Sequence, residues 1–122
     1  MGCRILVIED NEQNMYLIHF LLEVHGHAVI EARDGEEGIQ RAHDANPDII
    51  LLDIQLPGMD GYEIARTIRS TPALDTIPII AVTSYAMAGD REKILAAGAT
   101  DYIEKPINPE TFIDQIHKYF PQ

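Results

Sequence analysis

The chain has 122 residues, of which 46% are hydrophobic and 24% charged, and this composition is typical of one globular domain with a single hydrophobic core. Nine Lys and Arg against 20 Asp and Glu give a net charge of −11, so the chain lacks the basic surface needed to bind nucleic acid or an anionic membrane. Because no apolar run approaches the ~20 residues of a membrane helix and no secretory leader precedes the first apolar run, we expect a cytoplasmic protein with one domain, residues 1–122, and no second domain.

Five short apolar segments are predicted to be β-strands. They are residues 4–9, 28–32, 48–53, 79–83 and 101–104. The first, third and fourth are the most apolar, which indicates strands buried on both faces of a sheet. The second and fifth are more polar and suit the edges of that sheet.

A helical pattern follows each predicted strand. The first helix begins at Asp10 or Asn11, either of which can cap it, and ends near Gly26. Its apolar positions are Met15, Ile18, Leu21, Leu22 and Val24. The second helix is expected to begin at Asp34, and the third to carry Ile64, Ala65 and Ile68. The fourth is expected to span about 88–97 before Gly98, and the fifth to hold Pro109 in its first turn.

Strictly alternating strands and helices predict a parallel sheet with helices on both faces. Placing the apolar strands centrally gives a flavodoxin-like α/β fold, a doubly wound (βα)5 arrangement with five parallel strands in the order 2-1-3-4-5. In such sheets ligands bind at the carboxyl edge, where the strand order reverses. That reversal lies between the first and third strands.

Acidic residues follow both of these strands. Glu9 and Asp10 end the first, and Asp53 ends the third. Like charges brought together in this way are costly unless they share a proton or hold a cation, and carboxylate oxygens are ligands that Mg²⁺ prefers. An aspartate can also act as a nucleophile toward phosphorus. Thr83 and Lys105 end the fourth and fifth strands, where a hydroxyl and an ammonium group could bind phosphoryl oxygens.

Four segments at these strand ends carry a resemblance to a known family. They are Val7–Asn11, residues 51–61 (LLDIQLPGMDG), Ile80–Ser84 and Asp101–Pro106. With all four in order, the chain resembles the CheY-like receiver domain of two-component response regulators over essentially its whole length. The stretches Glu9–Asn14 and 85–90 are most similar to single-domain DivK-like regulators and to receivers attached to hybrid kinases.

The resemblance implies a role for each site residue. Asp53 would be the phosphoacceptor, with Lys105 and Thr83 contacting the phosphoryl group. Mg²⁺, with Mn²⁺ as a possible substitute, would be held by Asp10 and Asp53 directly, by Glu9 mainly through water, and by the backbone carbonyl of Gln55. Thr83 and Tyr102 would form the switch that alters the surface made by the fourth helix, fifth strand and fifth helix. The Lys105–Pro106 peptide would be cis.

The resemblance also implies partners. The phosphoryl group would come from a phosphohistidine on a sensor histidine kinase or a histidine phosphotransfer protein, and a downstream protein would bind the altered surface. The chain would not be an enzyme beyond its own self-phosphorylation and autodephosphorylation. With no output domain it would be a stand-alone regulator, and the alternative is a receiver fragment of a hybrid histidine kinase or of a larger regulator.

Two other functions compete with this interpretation. An aspartyl-phosphate phosphatase of the haloacid-dehalogenase type needs a second aspartate two positions after the nucleophile, where this chain has Gln55. A flavin-binding module of the same fold needs a phosphate-cradling loop after the first strand, where Glu9 and Asp10 would repel phosphate.

Some weaker signals complete the sequence reading. Tyr85 and Gln55 are expected to overhang the site, and we hypothesise that Tyr85 slows autodephosphorylation by excluding water. The five histidines show no metal-ligand spacing, and His25 and His27 are predicted to lie in a solvated turn.

Overall fold

The computed structural model describes residues 2–56, 58–84 and 88–120. Five parallel strands form one sheet in the order β2-β1-β3-β4-β5, which confirms the predicted fold and strand order. The strands are β1 Arg4–Ile8, β2 Ala28–Ala32, β3 Ile49–Asp53, β4 Ile79–Thr83 and β5 Asp101–Glu104. β1 ends one residue earlier than predicted and β3 begins one residue later. The ladder frays gradually there, since the Glu9 N–H still donates to the Ala32 carbonyl at 2.9 Å.

Five helices connect and cover the strands. They are α1 Glu12–Val24, α2 Gly35–Ala45, α3 Gly61–Arg69, α4 Ala88–Ala96 and α5 Phe112–His117. Asn11 caps α1 by accepting from the Asn14 N–H, so of the two predicted caps Asp10 is left available for other contacts. Within the described residues, no helix is long and apolar enough to cross a membrane.

The prediction for Pro109 was wrong. α5 begins three residues later, at Phe112, after a turn that is joined to the helix because the Asn108 carbonyl accepts from the Phe112 N–H at 2.9 Å. In that turn the Asn108 side chain accepts from the Glu110 N–H, and the Asn108 carbonyl accepts from the Thr111 N–H. Pro109 therefore lies in the turn that leads into the helix.

The sheet separates two hydrophobic layers, and residues of each strand alternate between them. Ile5 and Val7 face α1 and α5, whereas Leu6 and Ile8 face α2, α3 and α4. The strands β3 and β4 are buried along their whole length. Burial of this kind holds the carboxyl ends of the central strands in fixed positions, and this rigidity matters for the side chains that follow them.

One of the apolar positions predicted for the first helix lies outside both layers. Val24 is 64% exposed, because it lies on the solvent side of α1, away from the buried residues Met15, Ile18 and Leu22. With Tyr16 and Phe20, Val24 makes an exposed apolar stripe at helical spacing.

The prediction of a solvated turn holds for His25 and is wrong for His27. His25 is exposed, whereas His27 is buried. The ring of His27 packs edge-on against Phe120 with centroids 4.5 Å apart, and its Nδ1 accepts from the Cys3 N–H at 3.1 Å. This contact ties the start of β1 to the segment after α5. Accepting at Nδ1 requires an unprotonated ring nitrogen.

The His27 contact makes part of the stability dependent on pH. Burial lowers the pKa of His27 below its ordinary value of 6.5, and the charges of His25 and His117 lower it further. As the pH falls through 6.5 the unfolded chain binds a proton at this position before the folded protein does, so stability is lost toward acid. We expect His27→Gln to cost about 1–2 kcal/mol at pH 7.5 in urea unfolding. The margin between wild type and variant should shrink by pH 5.5, and a margin that grows toward acid would contradict this.

Gly61, the first residue of α3, lies against the backbone that follows Asp53. A Cβ at this position would come within 2.5 Å of the Ile54 Cα and 3.0 Å of the Ile54 carbonyl oxygen. These are main-chain atoms, so the contact cannot be relieved by rotating a side chain. The loop from β3 to α3 therefore depends on glycine here.

We expect Gly61→Ala to destabilise the protein by about 1–3 kcal/mol, because the added methyl group must displace the loop. Gly89→Ala is the matched control, since no atom lies within 4 Å of a Cβ there and alanine favours the helix α4. Urea unfolding of the two variants measures the difference. Equal stabilities would show that the loop adapts freely.

Candidate functional site

The carboxyl ends of the strands bring the predicted site residues to one edge of the sheet. Ile8 lies beside Leu52, Asp53 beside Val82, and Thr83 beside Glu104 in the strand registers. The residues that follow these positions therefore surround a single point. One carboxylate oxygen from each of Glu9, Asp10 and Asp53 lies within 4.8 Å of the other two.

The three acids differ in exposure. Glu9 and Asp53 are 1% and 2% exposed, whereas Asp10 is open to solvent. Backbone N–H groups orient both buried carboxylates. Asn11 donates to Glu9 Oε2 at 3.1 Å, and Gln55 donates to Asp53 Oδ1 at 2.9 Å. Both donors lie two residues after their acceptor, so each strand end orients its own acid.

Lys105 supplies a positive charge to both buried acids. Its Nζ lies 3.2 Å from Asp53 Oδ2 and 3.7 Å from Glu9 Oε1. The peptide bond between Lys105 and Pro106 is cis, as predicted. Two carboxylates and one ammonium group leave the pocket with an excess of negative charge.

This excess of negative charge favours the protonated form of Glu9. Burial, together with the neighbouring Asp53 carboxylate, raises the pKa of Glu9 to about 7, against the lowering effects of the Asn11 N–H and Lys105. Among the described residues, Glu9 Oε1 is a buried side-chain oxygen with no hydrogen-bond partner. A buried acceptor of this kind is costly and calls for a ligand or an ordered water.

A divalent cation fits these donors. Hard cations such as Mg²⁺ take oxygen ligands, and a cluster of carboxylates with one solvent-exposed member offers both charge and an entry path. The unpartnered Glu9 oxygen could accept from a water molecule bound to such a cation. The donor set thus has the chemistry that the sequence predicted.

Gln55 makes a contact that the sequence did not reveal. Its side-chain Oε1 accepts from the Ser84 N–H at 2.9 Å, which links the loop after β3 to the loop after β4. The sequence predicted that the backbone carbonyl of Gln55 holds the metal and that its side chain overhangs the site, but it did not predict this contact. No sequence signal marks the pair, since the two residues are 29 positions apart. Tyr85, the other residue predicted to overhang the site, lies outside the described residues.

The two predicted switch residues lie on neighbouring strands. Thr83 is fully buried at the end of β4, and Tyr102 is half-buried on β5. In the β4–β5 register Ala81 pairs with Tyr102 and Thr83 with Glu104. Residues in register lie on the same face of a sheet, so Thr83 and Tyr102 both face the layer that holds α4.

A family model for the response regulator receiver domain matches residues 5–117. The chain belongs to this receiver family. This receiver domain can be compared with its relatives by its strand order, its acid cluster and the lysine that follows β5.

Similar proteins align with almost the whole receiver domain. The polar-differentiation response regulator DivK of Brucella ovis is 43% identical over 115 residues, which is 94% of each chain. The chemotaxis response regulator CheY4 of Vibrio cholerae superposes with a TM-score of 0.93 at 27% identity, covering 98% of this chain and 100% of that one.

A third relative is the receiver domain of a sensor histidine kinase from Pseudomonas aeruginosa. It is 36% identical, with a TM-score of 0.89 and 98% of each chain covered, and its structure has a magnesium ion coordinated in the active site cleft. Stand-alone regulators and a kinase-attached receiver are thus both similar to this receiver domain.

The crowded acids generate a stability prediction. At pH 8 and without divalent cations, Glu9→Gln should stabilise the receiver domain by about 1–3 kcal/mol, because it removes a buried charge and its amide can donate to Asp53. Added Mg²⁺ should stabilise the wild type more than the variant, as expected for a ligand that binds only the folded state.

Urea unfolding with EDTA and then with Mg²⁺ gives both values. Glu110→Gln is the control for net charge, because Glu110 is exposed in the turn before α5. The explanation fails if Glu9→Gln is less stable than wild type in EDTA.

Proposed function

We propose that this receiver domain accepts a phosphoryl group on Asp53 in a Mg²⁺-dependent reaction and signals through protein contacts that depend on it. The observation that carries the proposal is the buried Asp53 carboxylate, oriented by the Gln55 N–H and by Lys105 beside the acid cluster. A nucleophile held in one orientation meets a phosphorus atom with little loss of entropy at the moment of reaction.

In the proposed reaction the donor is a phosphohistidine on a sensor kinase or a phosphotransfer protein. A carboxylate oxygen of Asp53 forms a bond to phosphorus as the phosphorus–nitrogen bond breaks, and the leaving imidazole keeps the electron pair and takes up a proton from solvent. Lys105 follows the transferred group as a counter-charge, and the Thr83 hydroxyl donates to one of its oxygens. The product is an acyl phosphate, so Asp53 is a phosphoacceptor that is restored when water or another nucleophile takes the phosphoryl group.

We propose that Asp10, Asp53 and the backbone carbonyl of Gln55 bind the metal directly and that Glu9 binds it through water. A bound Mg²⁺, or Mn²⁺ in its place, would neutralise charge on the phosphoryl oxygens. The raised pKa of Glu9 and its unpartnered oxygen support this assignment, because a nearby cation would favour the ionised carboxylate.

The proposed output is a change in the surface formed by α4, β5 and α5. Thr83 moves toward the phosphoryl group and Tyr102 turns inward behind it, so that a downstream protein binds the altered surface. We propose that the chain works in the cytoplasm as a single receiver domain, in the manner of its DivK relatives. Its similarity to a kinase-attached receiver supports the alternative of a receiver in a larger protein.

Phosphorylation by a small-molecule donor tests the proposal. Incubation with acetyl phosphate should add one phosphoryl group to the wild type with Mg²⁺ and almost none with EDTA, because phosphoryl transfer depends on charge neutralisation. Intact-protein mass spectrometry measures the added mass, and lability in base identifies an acyl phosphate.

Asp53→Asn is the decisive variant, since it keeps the size of the side chain and removes the nucleophile. Asp60→Asn is the matched control, because Asp60 is an aspartate in the same loop whose side chain caps α3 by accepting from the Glu63 N–H. Labelling should disappear in the first variant and persist in the second. Labelling that survives Asp53→Asn would overturn the assignment.

A further inference from the structure

The side chain of Arg91 on α4 covers the proposed switch residue. Its guanidinium carbon lies 5.2 Å from the centroid of the Tyr102 ring, within the range of a cation–π contact. Arg91 Nη2 also lies 3.7 Å from Glu104 Oε1. Tyr102 and Glu104 are two positions apart on β5 and so lie on the same face of the sheet. One side chain from α4 thus contacts two residues of the strand.

The inward turn proposed for Tyr102 would carry its ring along the face of the sheet toward the site. Tyr102 is in register with Ala81, whose side chain is small, and Thr83 follows on the same face. The ring of Tyr102 is half-buried, with its buried part against the layer that holds α4. A ring that turned inward over Ala81 toward Thr83 would leave the guanidinium of Arg91.

We propose that Arg91 holds the ring of Tyr102 in the position that it has in this structure, against the guanidinium, and so opposes the response of the α4–β5 surface to phosphorylation. Arg91 is a positioning residue in this role, because it acts through Tyr102 and not on the phosphoryl group. The inference rests on the proposed function, since it assigns a regulator to the switch described there.

The size of the effect follows from the nature of the contact. Both Arg91 and Glu104 are about half-exposed, so their ion pair adds little. A cation–π contact at an exposed site shifts a two-state equilibrium roughly two- to fivefold. Because the coupling between the ring and the phosphoryl site is reciprocal, loss of Arg91 should tighten binding at the site by the same factor.

The chain offers a matched control on the same helix. Lys93 lies over a different tyrosine, with its Nζ 4.8 Å from the centroid of the Tyr62 ring on α3. Arg91→Met and Lys93→Met each remove one positive charge and one cation–π contact from α4, and both keep an apolar stem. An effect of net charge on the acidic site would appear in both variants, whereas the proposed effect is confined to Arg91.

Beryllium fluoride, a mimic of the phosphoryl group, provides the measurement at saturating Mg²⁺. The five tyrosines are labelled as 3-fluorotyrosine, and the Tyr102 resonance is assigned in ¹⁹F NMR spectra with Tyr102→Phe. Arg91→Met should bind beryllium fluoride two- to fivefold more tightly than wild type. Without ligand, its Tyr102 resonance should lie part of the way toward the bound wild-type position. Lys93→Met should match wild type in both readouts.

The outcomes separate this inference from the proposed function. If the wild-type Tyr102 resonance does not respond to beryllium fluoride, the switch itself fails. If it responds but Arg91→Met binds the mimic as Lys93→Met does, the role of Arg91 is overturned and the switch stands. In a Tyr102→Ala background, Arg91→Met should no longer change the affinity, and a persistent gain there would show that Arg91 acts by another route.

Discussion

Two buried carboxylates, Glu9 and Asp53, share the single ammonium group of Lys105, which leaves an excess of negative charge. The rest of the structure depends on how the fold holds these charges together. The lysine lies 3.2 Å from one acid and 3.7 Å from the other, and one oxygen of Glu9 lacks a hydrogen bond among the described residues. Such an arrangement is unfavourable by itself, because buried charges that are only partly compensated cost several kcal/mol. It persists because the surrounding strands cannot relax away from it.

The strands provide this rigidity through burial on both faces. β3 and β4 have no exposed residue, and β1 has none beyond its first. Their side chains fill two dense layers, so moving a strand end to separate the acids would open cavities on both sides of the sheet. The backbone donors at Asn11 and Gln55 then fix the orientation of each acid. The packing of the core thus supplies the stability that offsets the unfavourable charges at the edge of the sheet.

Most of the fold could be predicted because its signals are local. Apolar runs bounded by polar residues identified the strands, and the polarity of the second and fifth strands placed them at the edges. The meeting of Glu9, Asp10, Asp53, Thr83 and Lys105 followed from the strand order, because every one of them ends or follows a parallel strand at the same edge. The errors at Val24 and Pro109 concern the last turn of α1 and the start of α5, where the apolar pattern is weakest.

The contacts that could not be predicted are those between side chains far apart in sequence. His27 accepts from Cys3 across 24 positions, and Gln55 accepts from Ser84 across 29. Composition and periodicity carry no information about such pairs, because each residue alone is an ordinary polar residue near a turn. The acids were found because like charges at strand ends are unusual, whereas a histidine after a glycine is not.

The modest strength of the contact between Arg91 and Tyr102 suits a reversible switch. A phosphoryl group adds about two negative charges and can make one to three new charge-assisted hydrogen bonds, so only a few kcal/mol are available to change the protein's conformation. Moving a two-state equilibrium from 1:99 to 99:1 takes ≈ 5.5 kcal/mol. A buried salt bridge over Tyr102 would consume much of that difference and leave the surface unresponsive. In the proposed switch, a half-exposed guanidinium worth about 0.5–1 kcal/mol would favour the unphosphorylated position of Tyr102 and would still let a single phosphoryl group reverse the balance.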